Sequence, residues 1–246
     1  MKQSVSIIMA VLIIQSLSIM PALAGNQTSS IGMNTNEAMD INASVPFVDL
    51  FKLSLPFEEA RPWLTKGKIN YDHNGWPTAL NGGQAGTRFI NNFPANTIPT
   101  GIYTVLYDGE GELKYGVNAR LVKRIPGKDF IEIKPGKNQK ISASLIITQS
   151  NPANYIRNIR ILMPGGICAN NSFKHVSQAN QCHTHDGQFL AFEQHYSQIL
   201  FNPDYLNFMK DFKVLRFMNM SGITRNSIRE WHKRPRLEQA SWGGKE

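Results

Sequence analysis

The stretch GIYTVLYDGEGELKYGVNARLV, residues 101–122, decides the fold class of this chain. β-Branched and aromatic residues dominate 101–107 and recur in 112–122, and such residues favour strands. Asp108-Gly109-Glu110-Gly111 stands between these two runs, and an Asp-Gly step is typical of a hairpin turn. The stretch therefore predicts two antiparallel strands that are joined as a hairpin.

The same pattern continues on both sides of this stretch. Further strands are predicted at 129–133, 141–148 and 155–163, with Pro-Gly steps between them. Residues 61–100 are rich in Gly, Pro and Asn, which predicts short strands joined by turns. Strands spaced by about ten residues are typical of a sandwich. We therefore expect a mainly β, jelly-roll-like β-sandwich over residues 46–166.

The pattern changes after the last of these strands. Asn202 followed by Pro203 and Asp204 is a typical helix start, because Asn caps the free N–H groups and Pro suits the first turn. The nearly continuous apolar run at 214–220 predicts a buried parallel strand. Residues 167–246 are thus expected to form a short α/β extension, the incomplete start of a second domain.

Two cysteines, Cys168 and Cys182, lie in this extension. An even pair at short spacing predicts a disulfide in an oxidising compartment, where it would stabilise the fold by roughly 3 kcal/mol. A zinc site that uses Cys182, His183 and His185 is an alternative, as is a pair of free thiols. The spacing matches no familiar zinc pattern, so neither a metal nor a cofactor is predicted.

The N-terminus indicates export. Lys2 precedes an apolar run over 5–19, and Ala22-Leu23-Ala24 offers the small residues that signal peptidase requires. Residues 1–24 are thus predicted to be a signal peptide, followed by a polar, flexible lead-in at 25–45. No membrane span is predicted, and the expected location is secreted or periplasmic. A formal net charge of +8 in an exported protein is better explained by an acidic polysaccharide, an anionic envelope or simple solubility than by nucleic acid as a partner.

Aromatic residues cluster at one place where a sugar could bind. Trp63, Tyr71 and Trp76 lie within fourteen positions, and Asp72 and Asn74 stand between them. Aromatic rings stack on sugar rings, while amide and carboxylate groups bond to hydroxyls. These five residues are the predicted ligand-binding set. The alternative is that the tryptophans fill the core, because large aromatics dominate core area.

Arg216 and Asn219 are further candidate ligand-binding residues. A charge inside an apolar strand usually faces a cleft or a buried partner, and Asn219 ends the same predicted strand. The acidic residues are less suited to catalysis. Glu58 and Glu59 are adjacent and would point apart, and the hairpin carboxylates follow turn geometry. No catalytic residue is predicted.

Several segments together resemble a family of secreted bacterial proteins described as cellulose-binding or glycoside-hydrolase-like. The segments are PFVDLFK at 46–52, GIYTVLYDGEGEL at 101–113, FNPDYL at 201–206, VLRFMNM at 214–220, and TRN at 224–226 with REWHKRP at 229–235. The resemblance implies an N-terminal β-sandwich followed by a (β/α)-barrel, with 215–218 on the first barrel strand. This chain ends where the first barrel helix would begin. The resemblance therefore implies an incomplete barrel without the catalytic carboxylates of later strands.

These observations predict an exported protein that binds polysaccharide, cellulose-like or another plant or envelope glycan. It would act as a non-catalytic module or as the ancillary part of a glycosidase-like protein. Two alternatives stay open. One is a structural or envelope-interaction β-sandwich without sugar specificity, and the other is an active glycoside hydrolase.

Overall fold

A computed structural model describes residues 29–59, 68–218, 228–234 and 236–241. These residues are mainly in strands. In chain order the strands are β1 (Ser29–Asn34), β2 (Asn70–Tyr71), β3 (Pro77–Ala79), β4 (Ala85–Pro94), β5 (Gly101–Asp108), β6 (Gly111–Val117), β7 (Ala119–Ile125), β8 (Lys128–Ile133), β9 (Lys140–Ser150), β10 (Arg157–Leu162), β11 (Gly166–Cys168), β12 (Asn171–Val176), β13 (Phe189–Ala191) and β14 (Phe212–Arg216). The predicted mainly β class is confirmed.

The described helices are short. The α-helices are α1 (Phe192–His195) and α2 (Pro203–Met209), and the 3₁₀ turns are Leu50–Leu53, Ala179–Gln181, Thr184–Asp186 and Trp231–Lys233. The predicted helix start is confirmed, because the Asn202 side chain accepts a hydrogen bond from the backbone N–H of Asp204 at the first turn of α2. No helix of the described residues is long and apolar enough to cross a membrane.

Two antiparallel sheets supply most of the core. Sheet I has the strand order β10-β5-β8-β7, and sheet II has the order β4-β9-β6. Buried residues alternate along the central strands, as in Ile141, Ala143 and Leu145 of β9 and in Ile131 and Ile133 of β8. Such a period of two gives each sheet one apolar face. Both faces contribute to a single hydrophobic cluster.

The predicted hairpin over 101–122 is wrong in its pairing. β5 lies in sheet I between β10 and β8, whereas β6 pairs with β9 in sheet II. The turn between them therefore joins two sheets. A Cβ atom at Gly109 would lie 2.2 Å from the carbonyl oxygen of Tyr155, and one at Gly111 would lie 2.1 Å from that of Gln149. These glycines allow the turn to pack closely against the end of β9 and against the connection from β9 to β10.

The single strand predicted over 112–122 is also two strands. Val117, with a φ of 64°, ends β6 in sheet II, and β7 begins at Ala119 in sheet I. Asn118 lies between them and fixes the change of sheet. Its backbone N–H donates to the carbonyl of Ser142 at 2.9 Å, and its side-chain oxygen accepts from the Ser142 N–H at 2.9 Å.

A buried ionic network links the two sheets. Asp129 on β8 has no exposed surface, and Arg124 on β7 donates to both of its carboxylate oxygens at 2.7 and 2.6 Å. Tyr115 on β6 also donates its hydroxyl to Asp129 at 2.7 Å. Arg124 donates in addition to the carbonyl of Leu113 at 2.6 Å. The charge of Asp129 is thus compensated from both sheets, and burial together with this carboxylate raises the pKa of Tyr115.

The extension packs on the same core. β11 lies between β12 and β13 in a third sheet, and Ile167, Phe192 and Ala240 belong to the hydrophobic cluster of sheets I and II. The predicted Cys168–Cys182 disulfide is confirmed, with the two Cα atoms 5.6 Å apart. The described part of the extension therefore adds to the core of the sheets.

Two expectations about the chain ends need correction. The segment predicted as a flexible lead-in contains β1, and Asp40 and Val45 of the same segment are buried. The strand predicted as buried, β14, is parallel as expected, but it pairs with β1 and leaves Val214 62% exposed. At Val214 the apolar run is therefore mostly exposed instead of buried. The predicted signal peptide, residues 1–24, lies outside the described residues.

We expect Asp129→Ala to lower the free energy of unfolding by about 3–5 kcal/mol, because it leaves the cation of Arg124 without its buried partner. Arg120→Ala is the matched control. Arg120 also lies on β7 and pairs with a carboxylate, Glu132, but its side chain is 69% exposed. Its loss should cost about 1 kcal/mol or less. Urea unfolding followed by circular dichroism measures both values, and equal, small losses would contradict this role of Asp129.

Candidate functional site

Trp76 does not offer a ring face to a sugar. Only 3% of its surface is exposed. Its indole stacks on Phe51 with the ring centroids 5.8 Å apart and also contacts Phe57. The indole N–H donates to the backbone carbonyl of Glu238 at 2.8 Å. This corrects the prediction of a binding role for Trp76 in favour of the core alternative, since both the ring and its polar atom are already partnered.

Asp72 also serves the local structure. One carboxylate oxygen accepts from the backbone N–H groups of Asn74 at 2.9 Å and Trp76 at 2.8 Å, which is the pattern of a side-chain-stabilised turn. The other oxygen accepts from the hydroxyl of Tyr155 at 2.9 Å. Both oxygens of Asp72 thus hold the turn between β2 and β3.

The remaining predicted residues of this segment are more accessible. Tyr71 is 38% exposed, and partial burial together with Glu59 raises the pKa of its hydroxyl. Asn74 is partly exposed, and its backbone carbonyl accepts from the N–H of Ala240 at 2.9 Å. Trp63 lies outside the described residues. Of the predicted set in this segment, Tyr71, Asp72 and Asn74 keep some accessible surface.

Arg216 is exposed on β14, in a different sheet from β2 and β3. Its guanidinium contacts the sulfur of Met218 at 3.0 Å, and its backbone carbonyl accepts from the N–H of Thr35. Asn219 lies outside the described residues. The predicted residues therefore belong to two separate elements of the fold.

A cavity among the described residues lies elsewhere, along β5 and β10 of sheet I. Its volume is about 590 Å³, within the range of small-molecule sites. We call it the main cleft. The residues that line it are Leu106, Tyr107 and Asp108 of β5, Asn158 and Arg160 of β10, and also Gly127, Tyr196, Leu237 and Glu238.

A bulge in β10 sets the polar wall of the main cleft. The register with β5 shifts between Arg157 and Arg160, and Asn158 has a φ of 53°. Bulges re-aim side chains in this way. The Asn158 amide donates to the Asp108 carboxylate at 2.7 Å. An amide, a carboxylate and a guanidinium therefore line the same edge of sheet I.

Tyr196, which directly follows helix α1, also lines the main cleft. Glu193 anchors the helix to sheet I, accepting from the hydroxyl of Thr104 at 3.1 Å and from the ammonium of Lys128 at 2.5 Å. Phe192 is fully buried and stacks on His175 with the ring centroids 5.6 Å apart. Tyr196 follows the helix directly, and the guanidinium of Arg160 lies over its ring at 5.6 Å.

The segment 236–241 lies at one end of the main cleft. Ser241 donates its hydroxyl to the carbonyl of Ser54 at 2.6 Å, and Ala240 and Glu238 are tied to the β2–β3 hairpin as described above. These bonds hold the segment so that Leu237 and Glu238 reach the cleft. Trp76 therefore supports the cleft from within the core.

A smaller cavity of about 150 Å³ shares Arg160, Tyr196 and Leu237 with the main cleft. We call it the side cavity, and Asp49, Lys52 and Leu200 also line it. Asp49 is buried, and one of its oxygens accepts from the backbone N–H groups of Phe51 and Ile161 at 3.1 and 2.9 Å. Burial raises the pKa of Asp49, although Lys52 opposes this. Burial likewise lowers the pKa of Lys52.

The residues that line the main cleft and the side cavity are not among the site residues predicted from the sequence, although the sequence carries a signal for Arg160. Arg160 interrupts the apolar alternation of YIRNIRILM at 155–163, and the same argument singled out Arg216 in a similar run. Tyr196 and Leu237 give no comparable signal, because only the folded chain brings them next to β10. Among the described residues, no group of three or more His, Cys, Asp or Glu side chains is placed to hold a metal ion.

Compared with the models of known protein families, with curated proteins and with solved structures, the chain shows no match.

We expect Trp76→Ala to lower the free energy of unfolding by about 3–5 kcal/mol, because it removes a buried ring and its hydrogen bond. Trp231→Ala is the matched control, since Trp231 is 80% exposed. The control should change stability by about 0.5 kcal/mol. Thermal and urea unfolding measure both. A Trp76→Ala protein that unfolds like the parent would contradict the core role.

Proposed function

We propose that this is an exported, non-catalytic carbohydrate-binding protein that holds a polysaccharide segment in the main cleft. The observation that carries the proposal is the cleft itself, an open volume of about 590 Å³ on a rigid sheet. Sites built on strands hold their side chains more firmly than loops do.

The chemistry of the lining suits a sugar. Asn158 both donates and accepts hydrogen bonds, Asp108 accepts from hydroxyls, and Arg160 donates to ring and hydroxyl oxygens. Tyr196 and Leu237 add apolar surface against which the C–H groups of a sugar ring can pack. Such a mixture of apolar walls and a few polar groups is typical of small-molecule sites.

Export is part of the same proposal. The Cys168–Cys182 disulfide supports it, since disulfides persist in oxidising compartments and are rare in the cytosol. The predicted signal peptide at 1–24 would supply the route. The jelly-roll-like arrangement also remains a proposal, which rests on the spacing of the strands, and the likeness of α2 and β14 to the start of a (β/α)-barrel remains one that rests on the family resemblance.

Binding to a glycan panel tests the site. We expect purified 25–246 to bind at least one of cellulose, xylan, chitin, pectin or their soluble fragments, and Tyr196→Ala to weaken that binding at least tenfold. Tyr71→Ala is the matched control, because it removes a ring of the same kind from the segment that the sequence favours. Pull-down on insoluble glycans and isothermal titration calorimetry on soluble fragments measure both.

Three results would contradict the proposal. A folded protein that binds no glycan would leave the structural, non-binding alternative. Loss of binding in Tyr71→Ala with Tyr196→Ala unaffected would move the site to the β2–β3 hairpin. Release of shorter sugars from the bound glycan would show that the protein is a hydrolase.

A further inference from the structure

We infer that the glycan carries carboxylate groups, and that the side cavity is the subsite that receives one of them through Arg160 and Lys52. The ligand class is therefore a uronic-acid-containing polysaccharide. This inference rests on the proposed function and specifies its ligand.

Arg160 is the central group. It lines both the main cleft and the side cavity, and it forms no salt bridge with a carboxylate of the described residues. Its guanidinium is held over the Tyr196 ring. A planar guanidinium held by an aromatic ring keeps its edge N–H groups available, and these match the two oxygens of a carboxylate. Arg160 is thus oriented to bind a carboxylate at the junction of the two cavities.

The side cavity has an excess of positive charge. Lys52 and Arg160 bring two cations to it, and Asp49 brings one carboxylate. One oxygen of Asp49 is already engaged by two backbone N–H groups, which reduces its capacity to accept further bonds. An anion that enters therefore meets a net positive site. Charges are screened less in a partly enclosed cavity than in bulk water, which strengthens the attraction.

The main cleft, in contrast, is lined by two carboxylates, and this difference in charge sets the orientation of the ligand. Asp108 and Glu238 both line it. Their carboxylates accept hydrogen bonds from sugar hydroxyls but repel a negative group. A saccharide is favoured when its hydroxyls face the main cleft and its carboxylate enters the side cavity. The shared residues Arg160, Tyr196 and Leu237 lie between the two positions.

Matched acidic and neutral oligosaccharides test this inference. We expect oligogalacturonate to bind at least tenfold more tightly at low salt than its fully methyl-esterified, uncharged form of the same length. The advantage should shrink as sodium chloride is raised, because salt screens charge. Isothermal titration calorimetry measures both. A sulfated galactan fragment separates a carboxylate-specific site from one that binds any anion.

Substitutions test whether the preference for the acidic sugar depends on the side cavity. Arg160→Gln should remove the preference for oligogalacturonate and keep weak binding of the neutral sugar, and Lys52→Gln should reduce the preference in the same direction. Arg120→Gln, on the outer strand β7, is the control and should leave the preference unchanged. A cooperative thermal transition must be present in each variant that is compared, and Lys52→Gln provides the test if Arg160→Gln does not fold.

The outcomes separate the two claims. Equal affinity for the acidic and neutral sugars would overturn the inference and leave the proposed function intact. Tighter binding of the sulfated fragment than of oligogalacturonate would also overturn it. A preference that survives both Arg160→Gln and Lys52→Gln would show that the side cavity is not the subsite. Failure of every glycan to bind would overturn the proposed function together with the inference.

Discussion

Asp129 carries a carboxylate into the centre of the molecule, and the arrangement of both main sheets depends on how it is compensated. Arg124 of sheet I and Tyr115 of sheet II bind the same carboxylate. A buried charge is tolerated only when its partners have good geometry, so this contact fixes β6 relative to β7 and β8. Lys128, the neighbour of Asp129, reaches Glu193 on the other side of sheet I. The buried ionic network and the contact that holds α1 to sheet I therefore involve adjacent residues of β8.

The positions of the strands could be predicted from the sequence, but their partners could not. β5, β8, β9 and β10 lie where β-branched residues and turn residues indicated them. The error at 108–111 has a physical cause. Asp-Gly describes a local turn, whereas the glycines here allow the backbones of Tyr155 and Gln149 to approach closely. That contact comes from residues about forty positions away, and no local pattern encodes it.

The candidate site shows the same limit. Tryptophan is a residue type that often stacks on sugar rings. In this fold, however, Phe51 and the segment 236–241 enclose Trp76. The argument from a charged residue in an apolar strand singled out Arg216, whose side chain is exposed, and the same argument applies to Arg160. What distinguishes the two is their surroundings. Arg160 lies beside Tyr196 and two cavities, while Arg216 lies on an exposed two-stranded sheet. The disulfide was predictable because Cys168 and Cys182 are the only two cysteines in the chain.

A crystal structure of residues 25–246 with a bound oligosaccharide is the decisive measurement for the main cleft. Sugar density is expected between Tyr196 and β10, with hydroxyls near Asp108 and Asn158. Sugar density stacked on Tyr71 beside Asn74, with the main cleft filled only by water, would contradict this placement.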